Sequence, residues 1–113
     1  MPPIDRELLK GSIDILLLTL LERGAMYGYQ IVKEVRARSE GVLELKEGSL
    51  YPALHRLEQQ GLIEGFWQPR PDAAAGTDRR YYRLTARGQQ AAEEKRAEWR
   101  RFAAAVEGVL RYA

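Results

Sequence analysis

Residues 47–64, EGSLYPALHRLEQQGLIE, combine a helix start, an apolar stripe and a helix stop in one short stretch. Leu50, Leu54 and Leu57 recur at i, i+4 and i+7, which is the spacing of one face of an amphipathic helix. We expect this face to be buried. The opposite stripe is predicted to meet a partner, because its side chains are small or able to form hydrogen bonds. Its members are Ser49, Pro52, Ala53, Arg56 and Gln60.

The ends of this helix are also predicted from the sequence. Ser49 is a candidate N-cap, and Pro52 would then fall where the helix requires no backbone N–H bond. Gly61 followed by Leu62 is typical of a Schellman-type helix end. A capped helix with one polar stripe is the kind of element that enters the major groove of DNA.

Composition excludes several classes of function. The 113 residues are enough for one small domain, and they include no cysteine and one histidine. A disulfide framework, a thiolate nucleophile and a thiolate zinc site are therefore ruled out. With no phosphate-cradling glycine loop and no paired carboxylates, we expect neither an enzyme nor a metal or cofactor site. The histidine, His55, is either a phosphate contact, a pH sensor or an ordinary surface residue.

The longest apolar run, Ile15–Leu21, is interrupted by Thr19 and is much shorter than the roughly 20 residues of a membrane span. The chain opens with no cleavable signal pattern. The sequence therefore predicts a cytoplasmic protein.

Two helices are predicted before the opening stretch. The first spans Arg6–Arg23 and ends at Gly24. The second spans Tyr27–Arg38, with Gly41 just beyond its end. The first helix is apolar on both faces, so we expect one face to contact a second subunit. The residues of that face are Leu8, Ile15 and Leu18.

A hairpin is predicted after the opening stretch, with strands Leu62–Trp67 and Arg79–Leu84 joined by the tip Gln68–Asp78. Residues 65–88 hold five arginines and two aspartates, a net charge of +3 that leaves the rest of the chain at −1. This basic excess predicts contacts to DNA phosphates. The candidate residues are Arg70, Arg79 and Arg80.

Thr85 is expected to cap a terminal helix. Residues that are apolar except for Lys95 then recur in alternating steps of four and three, which is a heptad seam that favours a partner helix. The aromatic pair Trp99 and Phe102 on this seam is either interface core or part of a ligand pocket. The seam comprises Ala92, Lys95, Trp99, Phe102, Val106, Val109 and Ala113.

These elements predict an α+β, mainly α fold, a winged helix-turn-helix with a C-terminal dimerisation helix. We expect residues 1–85 to form the DNA-binding domain and residues 86–113 to form the dimerisation helix. Four motifs characterise the chain. They are YGYQI at 27–31, GSLYPALHRLEQQGLI at 48–63, Trp67 and RRYYRLTARG at 79–88.

Together these motifs resemble the PadR-type transcriptional regulators, in particular the compact subfamily with a single terminal helix. The resemblance implies a homodimeric repressor that binds double-stranded DNA at an inverted repeat and is released by a planar aromatic effector. It also places Tyr51 near the DNA phosphates, and it implies that the terminal and first helices form the subunit interface. The alternative function is a winged-helix module that contacts another protein.

Overall fold

The computed structural model of the chain describes residues 6–70 and 78–112. The fold class is confirmed, since helices predominate and a small antiparallel sheet forms the wing. In chain order the elements are α1 (Arg6–Lys10), α2 (Ile13–Leu21), β1 (Met26–Tyr27), α3 (Gly28–Arg38), α4 (Glu47–Gln59), β2 (Ile63–Pro69), β3 (Asp78–Leu84) and α5 (Ala86–Leu110).

The prediction of one continuous first helix is wrong. The chain turns at Gly11 and Ser12, where the Ser12 amide donates to the Leu9 carbonyl at 2.9 Å, and this turn separates α1 from α2. At the other end the helix stops at Leu21, and Gly24 takes a positive φ of 140°.

The core lies around α2. Leu17 and Leu18 are completely buried within the single chain, and α2 packs against α3, α4, α5 and β3. The expectation that Leu18 lies on a second exposed apolar face is therefore wrong. Leu8 is 70% exposed and Ile15 is half-buried, so only these two of the three predicted residues remain accessible.

Helix α3 matches its prediction closely. Tyr27 stands before its first residue, and the Tyr27 amide donates to the side chain of Gln30 at 3.4 Å. At the other end the Gly41 amide donates to the Arg36 carbonyl at 2.9 Å, and Gly41 has a φ of 82°. This left-handed conformation suits glycine, and it ends the helix where the sequence predicted.

Helix α4 begins earlier than predicted. Its N-cap is Lys46 rather than Ser49, and Pro52 lies inside the helix rather than in its first turn. Because proline has no N–H, the carbonyl four residues earlier, that of Gly48, lacks its usual helical donor. The helix end is confirmed as a Schellman motif, since the Leu62 amide donates to the Leu57 carbonyl at 3.0 Å beyond a glycine at φ 76°.

The sheet has the order β1-β3-β2 with antiparallel neighbours. The two long strands were predicted, and each extends past its expected bounds toward the tip of the wing. The short strand β1, which pairs Met26 with Tyr82 at the edge of β3, was not predicted. A two-residue strand is too short for a periodic signal in the sequence. The predicted tip falls largely on residues 71–77, outside the described residues.

Helix α5 begins as predicted, with the Thr85 hydroxyl accepting a hydrogen bond from the Gly88 amide at 3.1 Å. The same hydroxyl donates to the Gly61 carbonyl at 2.7 Å, so it joins the ends of α4 and α5. Gly88 is buried against the Leu62 backbone, and an added Cβ would lie 1.8 Å from the Leu62 carbonyl oxygen. This close approach fixes where α5 leaves the wing.

We expect Gly88→Ala to lower the free energy of unfolding by about 1–3 kcal/mol, because the new methyl group overlaps the Leu62 backbone. Urea denaturation followed by circular dichroism measures the change.

Gly48→Ala is the matched control, because a Cβ at Gly48 meets no atom within 4 Å and the residue is also helical. It should raise stability by up to about 1 kcal/mol, as expected for alanine in place of helical glycine. Equal stability of the Gly88→Ala variant and the parent chain would contradict this account of the packing.

Candidate nucleic-acid interface

Helix α4 presents a polar face that is rotated from the predicted one. Leu50, Leu54 and Leu57 are buried as expected, but Ala53 is buried beside them. The prediction that Ala53 faces a partner is therefore wrong. The exposed face is centred on four residues at i, i+4, i+7 and i+11. They are Gly48, Pro52, His55 and Gln59.

The predicted polar stripe included Pro52, but it did not include His55 or Gln59. The signal was present, because on a helix of about 3.6 residues per turn the side directly opposite Leu50, Leu54 and Leu57 is centred on Pro52 and Gln59. A histidine and a glutamine one turn apart can both donate to and accept from base edges. The central part of the face is thus polar and accessible.

One flank of α4 faces α1 and α2. Arg56 lies on this flank, and its Nη2 is 2.5 Å from the Asp14 Oδ1. Ser49 is half-buried on the same flank and lines a groove with Lys10 and Lys46. The flank therefore carries several cations, one of them already in an ion pair.

The other flank of α4 packs against α3. The Tyr51 hydroxyl lies over Gly28 so closely that a Cβ there would be 2.5 Å from the oxygen. Tyr51 is nevertheless partly exposed along its ring. Gly28 thus creates the space that holds this tyrosine at the edge of the polar face.

The wing is fastened to α4 by Glu58. Its Oε2 accepts a bond from Arg80 Nη2 at 3.0 Å and a weaker one from the Gly65 amide at 3.3 Å. The Arg80 guanidinium also lies 5.3 Å from the ring of Trp67, which is 63% exposed. Arg80 was predicted to contact a phosphate. In the structure it links the wing to α4 through its ion pair with Glu58.

Tyr82 faces the inner side of the sheet and is buried. Burial raises the pKa of its phenol above the usual range, and the neighbouring Arg80 opposes that rise. The hydroxyl therefore stays protonated at neutral pH. Tyr82 belongs to the packing of the wing and not to its accessible surface.

The outer side of the sheet carries a row of arginine and aromatic side chains. Arg79 lies 4.3 Å from the centre of the Tyr27 ring, and that ring meets Tyr81 edge-on at 5.4 Å. Phe66 stacks with Tyr81 at 5.9 Å, and Arg83 lies 4.7 Å from the Phe66 ring. This row holds Arg79 in a defined position at the wing.

Two of the predicted contact residues lie at the ends of secondary-structure elements. Gln60 is exposed at the end of α4. Arg70 is half-buried immediately after β2, next to the segment outside the described residues. The structure therefore brings Ser49, Tyr51, Pro52, Arg56 and Gln60 together along one helix, with Arg79 and Arg80 on the adjoining wing.

A second, apolar surface adjoins the Arg56 flank of α4, because one groove is lined by Arg56, Trp99 and Phe102. An apolar groove of about 440 Å³ separates α5 from α2 and α3, and it is lined by Leu8, Ile15 and Trp99. Phe102 borders an adjoining groove beside α1 and α2. Val106 lies further along α5 and is exposed. Four of the predicted interface residues thus line grooves or their rims, whereas Leu18 belongs to the core.

Across residues 6–70 and 78–112, no three histidine, aspartate or glutamate side chains are grouped as ligands for a metal ion. In the same ranges, each helix is too short or too polar to cross a membrane.

Solved structures share this architecture. The chain is 31% identical to a transcriptional regulator from Clostridium thermocellum, with 93% of this chain and 96% of that chain aligned and a TM-score of 0.82. It is 41% identical to a PadR family transcription regulator from Clostridium difficile R20291, over 88% of this chain and 99% of that one, with a TM-score of 0.73.

Sequence comparisons agree. An uncharacterised protein of Lysinibacillus sphaericus is 32% identical over 93 residues, which is 82% of this chain and 83% of that protein. The model of the transcriptional regulator PadR-like family matches residues 17–94, from α2 into α5. This family consists of transcriptional regulators rather than enzymes. The chain belongs to the PadR-like family of transcriptional regulators.

Proposed function

We propose that this regulator represses transcription as a homodimer bound to an inverted-repeat operator. The observation that carries the proposal is the accessible polar face of α4 beside a basic wing. A helix with such a face can enter the major groove while the wing reaches the phosphates. Two such helices related by a two-fold axis would read half-sites about 34 Å apart, and a dimer bound there would block RNA polymerase.

The contacts divide by position. His55 and Gln59 lie at the centre of the exposed face, so we assign them to base edges together with Pro52, which fits closely against the groove. Residues on the flanks and wing are assigned to the DNA backbone, because they lie to either side of that centre. They are Ser49, Tyr51, Arg56, Gln60, Arg70 and Arg79, with Arg80 contributing charge while it holds the wing.

The dimer is proposed from the apolar residues left exposed along α5 and α1. Leu8, Trp99 and Phe102 are all large and exposed, as are Val106 and Val109. Contiguous exposed apolar side chains of this kind mark an interaction surface. A second copy supplies the matching heptad seam, so residues 86–113 would serve dimerisation and residues 1–85 DNA binding.

We further propose a planar aromatic effector in the groove beside Trp99. The groove is lined mainly by aliphatic side chains, and the indole ring offers a face for stacking. A bound molecule between α5 and α2 would change how the two subunits are spaced, and it would lower DNA affinity if it favours the altered spacing. Because the target is chromosomal DNA, the proposal places the protein in the cytoplasm.

The second function considered is a winged-helix module that contacts a protein. The exposed Trp67 beside the polar face favours it, since exposed aromatic side chains are common at protein interfaces. Salt dependence separates the two functions, because only binding to DNA releases many condensed counterions.

Selection from a library of random 40-base-pair duplexes (about four helical turns) should enrich an inverted repeat, and the affinity for it should fall steeply between about 50 and 200 mM salt. Gln59→Ala should weaken binding by about 1–3 kcal/mol, the usual discrimination from one side chain that bonds a base. Fluorescence anisotropy with labelled duplexes measures both effects.

Gln90→Ala is the matched control, since Gln90 is an exposed helical glutamine on α5, away from the wing. It should bind like the parent chain. Enrichment of no sequence, together with weak binding that ignores salt, would favour the protein-contact module instead.

Phe102→Glu should dissociate the dimer, because it buries an unpaired carboxylate in the proposed seam. Analytical ultracentrifugation at micromolar concentration measures the mass. Tyr29→Glu is the control, since Tyr29 is a similarly exposed aromatic on α3. A parent chain that sediments as a monomer would contradict the proposed dimer.

In a Trp67→Phe variant Trp99 is the remaining tryptophan, so its fluorescence reports on the groove alone. Acridine should change this fluorescence in a saturable manner because it stacks on the indole, whereas a saturated tricyclic amine of similar size should not. An unchanged signal across a panel of fused-ring compounds would remove the support for an aromatic effector.

A further inference from the structure

The Asp14–Arg56 ion pair joins α2 to the exposed helix α4 across 42 residues of sequence. The two side chains are not buried, with Asp14 29% and Arg56 50% exposed. Half of the arginine side chain is thus open to solvent on the flank of α4. An exposed pair of this kind is weak, and another anion can replace the carboxylate.

Arg56 matters because α4 holds no other arginine or lysine. The helix also carries Glu47 and Glu58, and Glu58 already binds Arg80 of the wing. While Asp14 neutralises Arg56, the other cations on this flank are Lys10 and Lys46, which precede α4. When Arg56 leaves Asp14, the helix itself gains a cation.

We propose that Asp14 sets the DNA affinity of this regulator by competing with a DNA phosphate for the Arg56 guanidinium. The inference rests on the proposed DNA-binding function. Asp14 is a positioning residue in this account, since it acts through Arg56 and contacts no DNA. Its carboxylate holds the arginine toward α2, and DNA must displace that carboxylate before the phosphate contact forms.

The geometry allows this competition. A guanidinium has five N–H donors, and the 2.5 Å contact joins one Nη2 to one carboxylate oxygen. A phosphate offers a similar anionic acceptor without requiring the arginine to be buried. The exchange therefore replaces one exposed charge pair by another.

Asp14→Asn tests the inference on the duplex enriched from the random library. The neutral amide should release Arg56 in both subunits and tighten binding by up to about fivefold per subunit, which corresponds to about 1 kcal/mol each. The slope of log affinity against log salt should steepen by about 1.8, because each of the two subunits gains one phosphate contact worth about 0.9. Anisotropy at four salt concentrations measures both quantities.

Glu34→Gln is the matched control. Glu34 forms a comparable exposed pair with Arg38 at 3.0 Å within α3, and its substitution changes the net charge by the same amount. Because Glu34 does not contact Arg56 or the wing, the affinity should change little at physiological salt, where distant charges are screened. An equal gain from Glu34→Gln would show that Asp14 acts only through net charge, and it would overturn the inference.

Arg56→Gln completes a double-mutant cycle. In that background Asp14→Asn should have no effect, because the residue through which Asp14 acts is gone. The inference is overturned if Asp14→Asn tightens binding equally with and without Arg56, or if it does not tighten binding at all. Thermal melting confirms that each variant is folded, and Asp14→Ser supplies a second neutral variant.

Different results would contradict the proposed DNA-binding function and the inference about Asp14 and Arg56. If the parent chain itself shows no sequence preference and no salt dependence, the proposed DNA-binding function fails, and this inference fails with it. If the parent chain binds as proposed but the cycle shows no coupling between Asp14 and Arg56, only the inference fails.

Discussion

The burial of α2 is the constraint on which the other elements depend. Leu17 and Leu18 reach zero exposure because α3, α4, α5 and β3 all pack around this one helix. Removing so much apolar surface from water is the main source of stability in a domain of this size. Ion pairs at the two ends of α2 also connect it to its neighbours, since Asp14 pairs with Arg56 of α4 and Glu22 pairs with Arg96 of α5.

The polar face of α4, the wing and α5 share one scaffold. Glu58 and Arg80 hold the wing to α4, so these two elements move together. Thr85 joins the end of α4 to the start of α5 through a hydrogen bond to the Gly61 carbonyl. Arg56 of α4 and Phe102 of α5 also line one groove. A change in how α5 lies against α2 would therefore reach the exposed face of α4 through this hydrogen bond and through α2 itself.

Local signals in the sequence were sufficient for most of the fold. The leucine spacing of α4, the glycine after it and the cap of α5 depend on residues a few positions apart, and all three predictions are confirmed. Ser49 and Ala53 were misassigned because small residues fit a cap, a groove or a core equally well. Pairings such as Asp14 with Arg56 and Glu58 with Arg80 join residues 42 and 22 positions apart, and helical periodicity carries no information on them.

Because Gly88 packs closely on the Leu62 carbonyl, the first turn of α5 is fixed to the body of the domain. The 25 residues of α5 span about 37 Å at the usual helical rise, and one end is anchored in the body of the domain. A tilt of about 5° at the free end would therefore displace the anchored body by about 3 Å, close to the 3.4 Å rise between successive base pairs. A small change in the tilt of α5 is thus converted into a displacement on the scale of the spacing between DNA base pairs.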